Sequence, residues 1–419
     1  MSKLFPATPI WESDGTSRIP FAAYTSEELH RRELERFFYK KHWCYVGLEA
    51  EIPNPGDFKR TVIGERSVLL VRDAEGQVSV VENVCAHRGM QFCRERHGSK
   101  KEFVCPYHQW SYTLQGDLQG VPFRRGLRQD GKVYGGMPAD FDTQQHGLTK
   151  LKVATRGGVV FASFDPSVES FEDYVGPAIL QYFDRLFNGR KLTILGHNRQ
   201  RIPGNWKLMQ ENIKDPYHPG LLHTWFVTFG LWRADNKSEL KMDAHHRHAS
   251  MISTRGASGK AAGVTQVSTF KESMHLHDPR ILDIVPEPWW GEPSVVMTTL
   301  FPSVVFQQMV NSVSTRHIQP DGHGAFNFEW THFGFADDTA EMTERRLRQA
   351  NLFGPAGYVS ADDGEVIEFS QRGFESKPFH HALAELGGRE VGDTDHMVTE
   401  TLIRGMYRYW REVMEAEES

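Results

Sequence analysis

Cys85 and His87, then Cys105 and His108, constrain this chain more than any other feature, with 17 residues between the two pairs. Each pair is a short loop offering one thiolate and one imidazole. Four such donors meet one centre only if the fold holds two loop tips at a fixed separation. A mixed pairing suits a [2Fe–2S] cluster in which one iron takes both sulfurs and the other both histidines. Replacing two thiolates by neutral imidazoles makes that cluster less negative and raises its potential, so it can pass electrons to an oxygen-activating metal. Two Cys and two His also satisfy tetrahedral zinc. Zinc fingers, however, usually place a Cys pair in one loop and a His pair in the other, whereas the order here is Cys-His and then Cys-His.

The bulk composition narrows the class. At 419 residues the chain has material for two or three domains and an ample core. Hydrophobic residues make up 39% and charged residues 24%, as in ordinary soluble globular proteins. A net charge of −6 and the lack of a long basic run argue against nucleic-acid binding. No apolar run of signal-peptide or membrane-spanning length is present, so the expectation is a cytoplasmic protein that does not enter a membrane. Of the four cysteines, Cys44 and Cys93 remain outside the cluster pairs and are expected to be small buried hydrophobes rather than a disulfide.

The pattern along the chain predicts an α+β protein in three segments: a helical lead-in at 1–42, a β-rich domain at 43–155 and a mixed domain at 156–419. Thr25 and Glu28 have capping-box spacing ahead of an amphipathic run through Leu29, Leu34 and Phe37. The runs at 68–71 and 78–81, separated by a segment containing Asp73-Ala74-Glu75-Gly76, read as a hairpin. Further on, 303–335 reads as antiparallel strands turning at Pro320-Asp321-Gly322-His323-Gly324. The stretch 396–415 reads as a helix with Val398, Leu402, Met406 and Val413 on one stripe.

A second constellation lies at 211–223. His218 and His223 are five apart, which a regular helix does not place on one face. Pro219 and Gly220 between them can break or bulge the helix and re-aim the second ring. Two imidazoles and one carboxylate, with open positions left over, make the facial triad of non-haem Fe(II) oxygenases. The carboxylate must come from elsewhere, and 360–365 offers Asp362 and Asp363. Among 20 histidines chance pairs are expected; the upstream cluster motif, whose electrons need an acceptor, singles out these two. A rival group, Asp243 with His245-His246-Arg247-His248, is read as a solvated loop.

The texts Cys85-Ala86-His87-Arg88-Gly89 and Cys105-Pro106-Tyr107-His108-Gln109-Trp110-Ser111-Tyr112 resemble the Rieske ferredoxin signature. With the 211–223 motif downstream, the chain resembles over essentially its full length the large, catalytic subunit of the Rieske non-haem iron aromatic-ring hydroxylating oxygenases. The resemblance implies an N-terminal all-β Rieske domain and a C-terminal helix-grip domain, an antiparallel sheet with helices. It selects Asp363 over Asp362 as the third iron ligand. It implies a trimer of large subunits, with small β subunits as α3β3, in which electrons cross a subunit boundary. Their path would run from His108 of one subunit through Asp215 of the next to His218. The segment from Asn212 to Asp215 is one residue shorter than in naphthalene-type enzymes, which leaves Asn212 without an assigned role. Ferredoxin and a ferredoxin reductase would deliver the electrons, NAD(P)H acting only through that separate reductase.

Within the family, the stretches 56–66, 205–223 and 351–357 are similar to those of enzymes acting on aromatic carboxylic acids, the salicylate 5-hydroxylases nearest and the anthranilate and terephthalate dioxygenases close by. Burying a benzoate-type carboxylate unpaired is prohibitive, so a cation should meet it, and Arg offers a bidentate fork. Arg316 and Arg404 look like positions that bind carboxylate in the terephthalate-type enzymes. For Arg404 the i,i+4 spacing from Glu400 by itself favours a surface pair, and for Arg316 the alternative is a surface charge on an edge strand. The expected reaction is O2-dependent insertion of one oxygen atom into salicylate, giving gentisate. A dioxygenase on anthranilate, terephthalate or another benzoate, a demethylase or other Rieske monooxygenase that lacks a small β subunit, and an iron–sulfur carrier without oxygen chemistry are the alternatives.

Overall fold

The computed structural model describes residues 11, 15–223, 225, 236–254 and 277–416. By packing, the chain divides into one unit of 38–168 and another that joins 1–37 to 169–419. The helical lead-in therefore shares a unit with the 169–419 segment; its first ten residues lie outside the described ones.

The 38–168 unit is built of short antiparallel strands: β1 (Cys44–Leu48), β2 (Asp57–Ile63), β3 (Arg66–Arg72), β4 (Val78–Glu82), β5 (His97–Ser99), β6 (Phe103–Val104), β7 (Ser111–Tyr112), β8 (Leu118–Gly120), β9 (Lys152–Arg156) and β10 (Val159–Ser163). They form sheets in the orders β4-β3-β2-β5, β6-β7-β8 and β9-β10-β1. The expected hairpin is β3–β4. Its loop closes because Asp73 Oδ1 accepts from the backbone N–H of Glu75 and Gln77, at 3.0 and 2.7 Å, while Gly76 takes φ 84°. Phe58, Leu69, Phe92, Phe103 and Trp110 pack a core that includes Cys85 and Cys105. Cys44 and Cys93 are buried free thiols whose pKa values burial raises.

The other unit centres on a seven-stranded antiparallel sheet of β11 (Leu192–Ile202), β12 (Lys237–Met242), β13 (Ala249–Thr254), β14 (Val295–Leu300), β15 (Val304–Met309), β16 (Ser312–Pro320) and β17 (Phe326–Phe335), in the order β11-β17-β16-β15-β14-β13-β12. The β16–β17 turn falls where Pro320–Gly324 predicts it, with Gly322 at φ 77°. Its helices are α1 (Glu27–Glu33), α2 (Pro177–Leu186), α3 (Trp206–Ile213), α4 (Ala340–Phe353), α5 (Ser360–Ser376) and α6 (Thr401–Glu415). Every residue of β15 is buried, because both sheet faces are covered. Phe183 and Phe187, on and just beyond α2, cover one face through Phe306, at 5.2 and 5.1 Å between rings. The other face, which carries Arg316, takes α3 and α5. Among the described residues no helix is long and apolar enough to cross a membrane.

Three local expectations change. The N-cap of α1 is Ser26, whose hydroxyl accepts from Leu29 N; Thr25 closes the preceding turn by donating to Phe21 O. Val398 precedes α6 and is exposed, so the buried stripe of that helix runs through Leu402, Met406 and Trp410. In the 243–248 run Asp243, Arg247 and His248 are buried in a turn, while His245 stays exposed as a solvated loop would have it. Asp243 Oδ1 accepts from His248 N at 2.7 Å, His248 Nδ1 accepts from Phe301 N at 3.0 Å, and Arg247 meets Tyr174 and Glu169. Its polar groups are spent on structure, which is why side chains so polar can lie inside.

Candidate metal centres and cavity

The two Cys-His loops have matching backbone geometry. Cys85 N donates to Met90 O and Gly89 N to Cys85 O; Cys105 N donates to Trp110 O and Gln109 N to Cys105 O, all at 2.8–2.9 Å. Gly89 and Gln109 both take positive φ, 71° and 57°, which turns each loop tightly enough to bring its Cys and His to one side. The His87 and His108 rings come within 4.7 Å, and His87 stacks on Trp110. His108 Nδ1 is buried with no partner among the described residues. A buried ring nitrogen without a hydrogen bond is costly unless a metal takes its lone pair, so the donor set fits a cluster here. Tyr112 accepts from Ala86 N and turns its hydroxyl to Cys85 Sγ, 3.1 Å away.

The second centre begins on α3. Asn205 caps it by accepting from Lys207 N, and Pro216 stops it, since proline cannot supply the next helical N–H. The chain breaks rather than bulges: a single 3₁₀ turn at His218–Gly220 sets the two rings 5.4 Å apart. Asp363 comes from the first turn of α5, where the helix dipole favours a carboxylate. Its Oδ1 lies 3.6 Å from His218 Nε2 and 3.2 Å from His223 Nε2. One donor atom from each residue falls within 4.8 Å of the others. That spacing, with two imidazole nitrogens and one oxygen, fits a facial triad.

The outer nitrogens are held as well. His218 Nδ1 meets Asp215 O at 2.8 Å, and His223 Nδ1 meets Asp362 Oδ2 at 3.2 Å. These contacts orient each ring so that Nε2 faces the centre. Burial disfavours a charged His218, yet Asp215 and Asp363 overcome it and raise its pKa to about 9. Without a metal the carboxylates draw a proton to this position; a divalent cation answers the same demand for positive charge. Asp215 Oδ1 accepts from the N–H of Tyr217 and His218, bracing the turn. Asn212 donates to Asp363 Oδ1 at 3.0 Å. Asp362 and Asn212 are the contributors that sequence reasoning missed. The Asp362-Asp363 doublet was the available signal, because successive helical residues can reach the two sides of one ring.

A largely apolar cavity opens beside the triad, its walls including Ile213, Met251, Met297, Met309 and Phe353. Arg316 lines it and is the one arginine or lysine among the described lining residues. Its guanidinium lies 4.1 Å over the Trp330 ring, and Nε and Nη2 have no partner among the described residues. Burial pushes its pKa down to about 9, against the pull of Asp363, so it remains cationic at neutral pH. Arg404 is elsewhere: Nε donates to Glu390 O and Nη1 to Ala384 O and Leu386 O. It ties a loop to α6 and does not line the cavity; its sequence context cannot report that its donors are already used.

Residues 42–130 match the Rieske [2Fe-2S] domain family, and residues 188–416 the ring hydroxylating alpha subunit (catalytic domain) family. The chain belongs to the Rieske ring-hydroxylating oxygenase alpha subunits, enzymes that combine a [2Fe–2S] cluster with mononuclear non-haem iron and use O2 and reductase-supplied electrons. It is 74% identical over 415 residues to the large oxygenase component of salicylate 5-hydroxylase from Ralstonia sp, covering 99% of this chain and 98% of that one. It is 40% identical over 410 residues to terephthalate 1,2-dioxygenase terminal oxygenase component subunit alpha 2 from Comamonas sp, covering 97% and 98%. The fold matches naphthalene 1,2-dioxygenase from Rhodococcus sp. bound to indole with a TM-score of 0.79 at 23% identity, over 96% of this chain and 95% of that one. Membership in an oxygenase family sets aside the electron carrier without oxygen chemistry.

Proposed function

We propose that this chain hydroxylates salicylate at carbon 5, forming gentisate (2,5-dihydroxybenzoate) from O2, two electrons and two protons, with water as the other product. The observation that carries the reading is Arg316, a buried cation whose Nε and Nη2 have no partner among the described residues, in an apolar cavity beside the triad. Such a group is stable there only if an anion completes it, and a ring carboxylate fits its planar fork. The 74% identity to a salicylate 5-hydroxylase component supports the choice of acid.

In this proposal Cys85, His87, Cys105 and His108 hold the cluster, and His218, His223 and Asp363 hold iron. Iron bound there supplies O2 activation and the cluster its electrons, one at a time. The chain's own residues do the rest. Asp362 and the Asp215 carbonyl fix the imidazole rings, and Asn212 steadies the Asp363 oxygen. Apolar walls exclude water around the ring, while Arg316 sets which edge of it faces the triad. Asp215 receives His108 of a neighbouring copy in a trimer that a small second subunit completes as α3β3. Ferredoxin and its reductase are the partners, in a cytoplasmic setting.

Product analysis under ¹⁸O2 tests this, with the reconstituted enzyme offered salicylate, anthranilate and terephthalate in parallel. Gentisate carrying one labelled oxygen is expected, and an Arg316→Met variant should lose most of it through a raised KM. A diol or catechol from another acid, with salicylate inert, would overturn the substrate assignment.

A further inference from the structure

One rung of the catalytic sheet is polar where packing alone would make it apolar. Across β14, β15, β16 and β17, Met297 faces Gln307, Gln307 faces Ser314, and Ser314 faces His332. All four share the sheet face that bears Arg316, which stands two residues from Ser314 on β16. Met297, and Met309 two residues along from Gln307, line the cavity, as Arg316 does, and Gln307 stands next to both methionines on that face, directly beneath the lining. Gln307 and Ser314 are 0% exposed. Both side-chain amide atoms of Gln307, the hydroxyl of Ser314 and Nδ1 of His332 have no partner among the described residues. His332 Nε2 is engaged with Asn198 Oδ1 at 2.8 Å, and burial, with Arg316 and His197 nearby, lowers its pKa to about 4, so it is neutral.

A fully buried amide with neither its N–H nor its carbonyl satisfied is rare unless a ligand or ordered water completes it. Gln307 and Ser314 offer both a donor and an acceptor, which suits a hydroxyl or amino group and has no use for C–H. Side chains one rung and one strand away from Arg316 stand about 5–8 Å from it at Cβ. Their head groups can therefore meet two substituents on adjacent ring carbons.

We propose that Gln307 and Ser314 are specificity-determining residues that read the ring substituent ortho to the substrate's carboxylate, a hydroxyl or amino group, while Arg316 holds the carboxylate. This deepens the reading above and rests on its aromatic-acid substrate. A site built to hydrogen-bond a substrate hydroxyl rejects the analogue lacking it, because its own polar groups are then left unpaired.

The test is equilibrium binding of 2-hydroxybenzoate, 2-aminobenzoate and benzoate to the assembled holoenzyme without reductant, by calorimetry. Wild type should hold at least one ortho-substituted acid about tenfold or more tighter than benzoate. In Gln307→Met, which keeps the side-chain length, and Ser314→Ala, the ratio should fall to within about threefold with benzoate binding unchanged. A ratio that survives both substitutions, or affinities for all three acids falling in parallel, would overturn the proposal. Arg316→Met is scored separately: unchanged benzoate binding there would sink the carboxylate reading, whatever the ratio does.

Discussion

His223 is gripped on both nitrogens by consecutive residues, Asp362 at Nδ1 and Asp363 at Nε2. A helix advances about 100° per residue, so two neighbours on its first turn point in different directions and can straddle one imidazole. Asp363 is buried and Asp362 is 39% exposed at its side chain, which separates an inner oxygen from an outer one. Removing the outer one should leave the three inner donors in place but loosen a ring. We expect Asp362→Ala to weaken iron retention roughly 10–100-fold, as is usual when a partner of a ligating histidine is lost. Iron content after graded chelation measures it; iron held as tightly as in wild type would show that Asp362 does not orient the ring.

Helix α3 carries an unusual load for a buried element. Lys207 pairs with Glu33 at 2.7 Å, both side chains fully buried, and Glu33 also accepts from the indoles of Trp206 and Trp410. Such a pair is worth little net against an apolar replacement, but losing one partner strands a buried charge. Lys214, just beyond the helix, donates to the side-chain oxygen of Gln210 and has its pKa pushed down to about 7 by burial, with Asp243 and Glu211 opposing. The folded-state pKa thus lies below the unfolded one. Between about pH 7 and the unfolded value near 10.4 the unfolded chain binds the extra proton, so stability rises with pH across that window. A Lys214→Met variant should lack this rise. Melting temperatures of the two proteins from pH 7 to 10 should converge toward the alkaline end, and parallel curves would refute the assignment. None of this load is legible in the helix's sequence, because Lys and Glu at helical spacing read as a solvated face.

For the whole molecule the decisive expectation is that each catalytic unit is served by another copy's cluster. On the proposed ligand sets, large subunits carrying Cys85→Ser should lose the cluster and those carrying Asp363→Ala the iron; each alone should be inactive. Co-assembled in one oligomer, they should recover a measurable part of wild-type turnover, whereas the same two proteins mixed after separate assembly should not. No recovery on co-assembly would mean that electrons pass within a single chain.

How much of this was legible depended on how local the information is. The cluster pairs, the His218/His223 motif and the Asp73–Gly76 hairpin are short-range patterns whose residue types and spacing already encode a geometry, so the sequence by itself determined the class of chemistry and pointed to the two candidate centres. The resemblance singled out Asp363 over Asp362, but not that Asp362 would take the other side of the same ring. Arg316 and Arg404 were both singled out by the resemblance, although spacing alone favoured a surface pair for Arg404. Packing separated them, leaving one in a cavity with two donors unpartnered among the described residues and the other bonded to three backbone carbonyls. The 243–248 run was misread in part for the same reason, since polarity alone cannot say whether partners wait inside. What only the tertiary structure decided is which polar groups are already satisfied, because hydrogen-bond partners distant in the chain are assigned by the fold, and it is the unsatisfied ones that are left for a substrate.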